Sequence, residues 1–196
     1  LFVKELQESL LSGAIDFAVH SAKDMETFIP DTFDHRAVLL RGAVEDVFVS
    51  NRVKRFQDLP QGAVVGTSSL RRGATLLNLR PDFSIKILRG NVPTRLAKLD
   101  AGEYDGIILA RAGLERLSLN DRITQILPID LMVPSAAQGI LAVEFLKNRQ
   151  GIAKLLDGLV HEPTASSLSL ERAFLGQVDG ICHTPVGCHT KTNEDL

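Results

Sequence analysis

The sequence has no tryptophan, only 5% aromatic residues and two cysteines in 196 positions, and each shortage excludes something. Cys182 and Cys188 cannot staple a chain of this length, so its core must come from packing, and a reducing compartment fits best. The aromatic residues are too few for a base-stacking nucleic-acid surface. No run approaches the roughly 18 consecutive apolar residues of a membrane helix. The opening Leu1-Phe2-Val3-Lys4-Glu5-Leu6 lacks the basic and apolar regions of a secretion signal. Neither common glycine-rich nucleotide loop occurs. Cys182-His183 and Cys188-His189 do not have the spacing of a structural zinc site or of a haem attachment motif, so no metal is expected.

What is present is a globular composition, 44% hydrophobic and 23% charged, which excludes a charge-driven disordered chain. The net charge of -2 argues against a general nucleic-acid binder but conceals a local bias. Between Gly62 and Leu99 stand Arg71, Arg72, Arg80, Lys86, Arg89, Arg95 and Lys98 against the single acid Asp82. A solvated basic face is the ordinary reading of such a run. Two features favour an anion site instead: most of the cations are arginines, which bind carboxylates and phosphates bidentately, and several fall at element ends.

Apolar spacing predicts a helix over Phe2 to Leu11, ended by Gly13, and then a strand over Ala14 to His20. The cluster His20-Ser21-Ala22-Lys23-Asp24 follows at the carboxyl end of that strand, where open α/β sheets bind ligands. Further strands are expected at Asp46 to Ser50, Ala63 to Gly66, Ser84 to Leu88, Tyr104 to Ala110 and Ile140 to Phe145. Thr67 to Ser69 supply N-caps for a helix reaching Leu79, and helices are expected at Pro93 to Ala101, Ala112 to Leu117, Gly151 to Val160 and Thr164 to Gln177. Alternating strands and helices imply a mostly parallel sheet. Arginine-bearing turns after successive strands would then converge on one cleft. The block from about Val44 to Val133 reads as a domain inserted into another, entered near Leu40-Arg41-Gly42 and left near Pro134.

Taken alone, Lys23-Asp24 is a surface ion pair or a cap, and its functional reading is a carboxylate that stabilises a cation or moves a proton. His20 is most simply a packed or hydrogen-bonded residue at the strand end. A buried inert thiol is the default for either cysteine. Gly180, Pro185 and Gly187 nevertheless describe a constrained turn able to present Cys182 as a nucleophile.

Runs along nearly the whole chain resemble the porphobilinogen deaminase (hydroxymethylbilane synthase) family. They include Ala18-Val19-His20-Ser21-Ala22-Lys23-Asp24, Val65-Gly66-Thr67-Ser68-Ser69-Leu70-Arg71-Arg72, Leu88-Arg89-Gly90-Asn91-Val92 and Tyr104-Asp105-Gly106-Ile107-Ile108-Leu109-Ala110. Ala137-Gln138-Gly139, Glu171-Arg172-Ala173 and Cys182-His183-Thr184-Pro185-Val186-Gly187 continue the series. The resemblance implies an α/β, two-lobe fold like a periplasmic binding protein, with mixed, mostly parallel sheets and the start of a small α/β third domain. On that pattern residues 1–41 and 134–160 form the first domain, 42–133 the second and 161–196 the beginning of the third.

The implied activity is stepwise condensation of four porphobilinogen units with release of ammonia, giving hydroxymethylbilane, on a dipyrromethane cofactor joined by a thioether to the residue matching Cys182. Asp24 matches the catalytic aspartate and Lys23 a residue that pairs with a cofactor carboxylate. Ser69, Arg71, Arg72, Arg89, Arg95, Arg116 and Gln138 match binding residues for cofactor and growing polypyrrole. The implied protein is a cytoplasmic monomer without nucleic-acid or membrane partners. Met25-Glu26 replaces the usual Val-Pro, Ile181 stands where a second glycine often precedes the cysteine, and Arg111, unusual beside the Ile-Leu-Ala strand end, is either an extra cleft cation or a surface residue. The chain begins without Met inside a helix and lacks the family's N-terminal segment and most of its third domain, so weak turnover is expected of it. The competing readings are a non-catalytic binding module for a small organic anion, which leaves Asp24 and Cys182 unexplained, and an inactive truncated deaminase.

Overall fold

A computed structural model describes residues 2–178 and 184–191. The chain divides into two compact units. One joins the residues up to Gly42 to the segment that starts at Ser135, and the other is Ala43–Pro134 with the short 184–187 stretch.

The first unit is built on a three-stranded sheet in the order β1 (Phe17–Ser21), β8 (Leu141–Leu146), β2 (Phe33–Val38), with both pairings antiparallel. Helix α1 (Phe2–Leu11) precedes the sheet and ends at Gly13, whose φ of +73° suits a residue without Cβ. Leu10 packs with Ala18 and Phe33, whereas α5 (Gln150–Asp157) places Leu156 against Val38, Val143 and Phe145. Helix α6 (Glu162–Gln177) lies along β2, and its Leu168 joins a cluster with Ala22, Met25, Ala37 and Ile140.

The second unit holds a five-stranded sheet in the order β5 (Ser84–Lys86), β4 (Val64–Gly66), β6 (Gly106–Ala110), β3 (Asp46–Val49), β7 (Gln125–Leu127). Successive side chains of a strand point to opposite faces, and here both faces are covered. Phe48 and Ile108 face a cluster that includes Phe56, Val65 and Leu76 of α2 (Leu70–Leu79). Val47, Val49, Ile107 and Leu109 face Leu96 and Leu99 of α3 (Val92–Asp100) and Leu114 of α4 (Arg111–Arg116). Each such side chain, fully buried, contributes about 1.5–3 kcal/mol of transfer free energy. This two-sided burial explains why β4, β6 and β3 after Asp46 read as unbroken apolar runs.

The five-stranded sheet is mixed, as expected, but the three-stranded one is wholly antiparallel, and the expected parallel majority is corrected: β3 pairs antiparallel with both neighbours, and β8 does the same in the first unit. Only β4–β5 and β4–β6 are parallel. Those strands are linked through α2 and α3, and a helical crossover is what a parallel neighbour requires. Elsewhere the alternation of strand and helix in sequence does not join neighbours in space. β2 and β7 were not anticipated.

Candidate functional site

In the first unit β1 runs into a single helical turn, Ala22–Asp24. Ala22 and Met25 are buried on either side of Lys23 and Asp24, and the Ala22 amide donates to the Ile140 carbonyl at 2.9 Å. Met25, a departure from the family pattern, therefore serves as an apolar anchor for the turn. Asp24 is exposed, and its carboxylate has no hydrogen bond or ion pair among the described residues. Lys23 donates through Nζ to Oε1 of the fully buried Gln138 at 3.2 Å. The Gln138 carbonyl in turn accepts from Arg41 Nε at 3.0 Å.

Behind this pair lies Glu171, fully buried on α6. Its carboxylate accepts from Arg41 Nη1 and Nη2 at 2.7 and 3.0 Å, from the Ala137 amide at 2.6 Å, and from the Thr190 amide at 2.8 Å. Burial alone would raise its pKa, but the Arg41 guanidinium and the two amides outweigh burial and hold the carboxyl below its ordinary value. Ala137 sits at φ +61°, a conformation L side chains rarely adopt, and the Glu171 bond to its amide helps hold it there. Neither Arg41 nor Glu171 stood out in the sequence as a site residue. Glu171 lies within a family-like run, but nothing in its spacing shows that it gathers both segments where the chain passes between units.

In the second unit β5, β4 and β6 are parallel, so the turns that follow them share one edge of the sheet. The turn after β4 carries Ser69, which caps α2: its Oγ accepts from the Arg72 amide at 3.4 Å. Arg71 and Arg72 follow, but they turn inward. Their Nη2 atoms each donate to one carboxylate oxygen of Asp46 at 2.6 Å, and Asp46 is fully buried. Arg71 also donates to the Val133 carbonyl at 2.6 Å and Arg72 to the Ile108 carbonyl at 3.3 Å, while Arg72 Nε is buried without a partner among the described residues. Burial lowers the Arg71 pKa, Asp46 opposes that effect and Arg72 adds to it. Arginine remains charged throughout. Asp46 is the counterion the sequence reading missed, because an acid that opens an apolar strand gives no sign of which cations it will meet.

The turn after β5 carries Arg89, exposed, and α3 carries Arg95, half-buried, whose Nε donates to the Gly90 carbonyl at 2.7 Å. Asn91 caps α3 by accepting from the Thr94 amide at 2.9 Å. Arg116 is exposed at the end of α4. Arg111 is neutralised by Glu45 at 3.1 Å and Glu115 at 2.8 Å, which makes it a structural cation. Cys182 and Ile181 lie outside the described residues. Cys188 is half-buried, and burial together with the Glu171 carboxylate pushes its thiol pKa up, which disfavours the thiolate. Among the described residues no group of His, Cys, Asp and Glu is arranged to hold a metal ion.

A family model described as "Porphobilinogen deaminase, dipyromethane cofactor binding domain" matches residues 1–154. The porphobilinogen deaminase of Nitrobacter hamburgensis is 49% identical over 195 residues, covering 100% of this chain and 62% of that protein. That of an Exiguobacterium species is 44% identical over 196 residues, covering 100% of this chain and 64% of that protein. The chain thus spans a little under two thirds of the length of these relatives. Among solved structures, a Bacillus subtilis lipoprotein matches with a TM-score of 0.55 at 14% identity, over 82% of this chain and 76% of that one. The VFT2 domain of Bordetella pertussis BvgS matches with a TM-score of 0.50 at 17% identity, over 85% and 72%. These two likenesses speak for the fold, which is the α/β, two-lobe, periplasmic-binding-protein-like class. The match over residues 1–154 and the relatives aligned across the whole chain place it in one family: the chain belongs to the porphobilinogen deaminases.

Proposed function

We propose that the chain carries the site of a hydroxymethylbilane synthase. The reaction joins four porphobilinogen units head to tail. In each step the aminomethyl C–N bond of one unit breaks, ammonia leaves, a C–C bond forms to the next pyrrole, and that pyrrole carbon gives up its proton. In this reading residues 1–41 and 134–160 form one domain, 42–133 a second, and 161–196 begin a third. The protein is a cytoplasmic monomer that uses neither nucleic acid nor membrane. Among the described residues no helix is long and apolar enough to cross a membrane.

The observation that carries the reading is Asp24: an exposed carboxylate without a protein counterion among the described residues, fixed between two buried anchors beside a lysine held by a buried glutamine. A carboxylate so placed stabilises positive charge that develops as ammonia departs. The donor set also fits a dipyrromethane, whose pyrroles bear acetate and propionate groups. Arg89 and Arg116 are exposed, Arg95 is half-buried, and Lys23 and Ser69 add a cation and a hydroxyl. Arg71 and Arg72 would contribute through the N–H groups that Asp46 leaves, and Gln138 by holding Lys23. Cys182 would hold the group by a thioether, which survives repeated turnover. When bound, the group supplies the pyrrole to which the first substrate unit is joined.

The test is the intact mass of the denatured protein beside a Cys182→Ser control. An added mass equal to two linked pyrrole units, absent from the control, is the expected result. An unmodified mass after incubation with porphobilinogen, in this chain and in a protein of the relatives' full length, would leave a binding module for small organic anions as the better account.

A further inference from the structure

The carbonyl groups of the turn after β5 are held from behind by side chains, one after another. Tyr104 Oη donates to the Ile87 carbonyl at 2.8 Å, Ser68 Oγ to Leu88 at 2.6 Å, Lys98 Nζ to Arg89 at 3.4 Å and Arg95 Nε to Gly90 at 2.7 Å. Two of these donors also belong to the root of the other arginine-bearing turn. Ser68 lies between Thr67 and the α2 cap Ser69. The Tyr104 ring packs so closely on Gly66, the last residue of β4, that a Cβ there would come within 2.7 Å of it. The ring is buried with Leu88, Leu96 and Ile107, so its hydroxyl is delivered from a fixed platform. Ile87, whose carbonyl it holds, is itself exposed, so the residue's own packing does not secure that carbonyl.

We infer that Tyr104 and Ser68 are positioning residues for Arg89: they tie the turn that carries it to the turn that carries Ser69 and leads into α2, so that Arg89 and Ser69 meet one polycarboxylate in fixed register. The inference rests on the functional reading above. On this inference both act through Arg89 and not through contact with the ligand. Each removes freedom from a loop whose arginine would otherwise be ordered only on binding, a cost that falls on affinity.

The test is titration calorimetry of the chain with porphobilinogen. Tyr104→Phe keeps the ring and Ser68→Ala alters an exposed residue, so both retain the core. Each is expected to weaken binding about five- to tenfold, the worth of one hydrogen bond, with Ser68→Thr close to the unmutated chain. In an Arg89→Ala background the same changes are expected to cost less than about twofold, because residues acting through one group are not additive. Equal losses with and without Arg89, or no loss at all, would overturn the inference and leave the functional reading intact. If the unmutated chain binds no porphobilinogen that Arg89→Ala weakens, the reading fails and the inference goes with it. The chain has one tyrosine and no tryptophan, so Tyr104 emission gives an independent readout of the Ser68 variants.

Discussion

Asp46 keeps two like charges side by side in the interior of the second unit, each guanidinium bonded to one of its oxygens. Removing one partner from a buried ion cluster leaves charge without compensation, a cost of about 3–5 kcal/mol. Asp46→Asn is therefore expected to lower the free energy of unfolding by that amount, read from urea titration. Acid acts on other residues. Glu171 and Glu144 both have pKa values below their ordinary 4.5: burial would raise them, but hydrogen-bonded partners more than offset it. Their stabilisation is present above the unfolded value and lost as pH falls through the folded one. His35 is lowered from 6.5, first by burial and then by Arg172. The unfolded chain thus takes up that proton first, and stability begins to fall below about pH 6.5. Urea midpoints against pH should show two stretches of decline: His35→Gln is expected to flatten the upper one and Glu171→Gln the one below pH 4.5. Lys23, Asp24, Ser69 and Arg89 were legible in the sequence as chemical types at strand ends. Asp46 and Arg41 were not, because a counterion is chosen by the fold and leaves no local pattern.

At the scale of elements, β6 depends on what its first residue lacks. A Cβ on Gly106 would overlap the Phe48 ring, which is fully buried on the neighbouring strand. Gly106→Ala must displace that ring within a packed core, and is expected to cost about 1–3 kcal/mol in urea unfolding. Helices α1 and α2 were legible because caps and breakers stood at their ends: Gly13, Ser69 and Pro81 each mark a boundary within a residue or two. The buried face of α6 was obscured. Thr164, Ser167, Leu168 and Glu171 recur at helical spacing, but three of the four are polar, and only tertiary partners show that the stripe faces inward. β2 was missed because Phe33-Asp34-His35-Arg36-Ala37-Val38 holds three charged or titratable residues in succession.

Considered whole, the chain places the segment Ala43–Pro134, the bulk of the second unit, between two segments of the first. Ala43–Pro134 contains all five strands of its sheet and both hydrophobic clusters that cover it, so that segment expressed alone is expected to show cooperative urea unfolding and a mixed α/β circular dichroism spectrum. A gradual, non-cooperative change would count against its independence. The parallel trio β5-β4-β6 was readable from strand–helix alternation, whereas the antiparallel places of β3, β7 and β8 were not, since sequence order does not say beside which neighbours, or in which direction, such a strand will lie. The central strand of the first unit, β8, lies beyond the entire inserted segment. On the ribosome, therefore, β1 and β2 emerge long before the strand that must lie between them, while every strand of the second unit is already available. The order of synthesis favours completion of the inserted unit first and leaves the first sheet open until its middle strand appears, so cells have reason to shield those two early strands during translation.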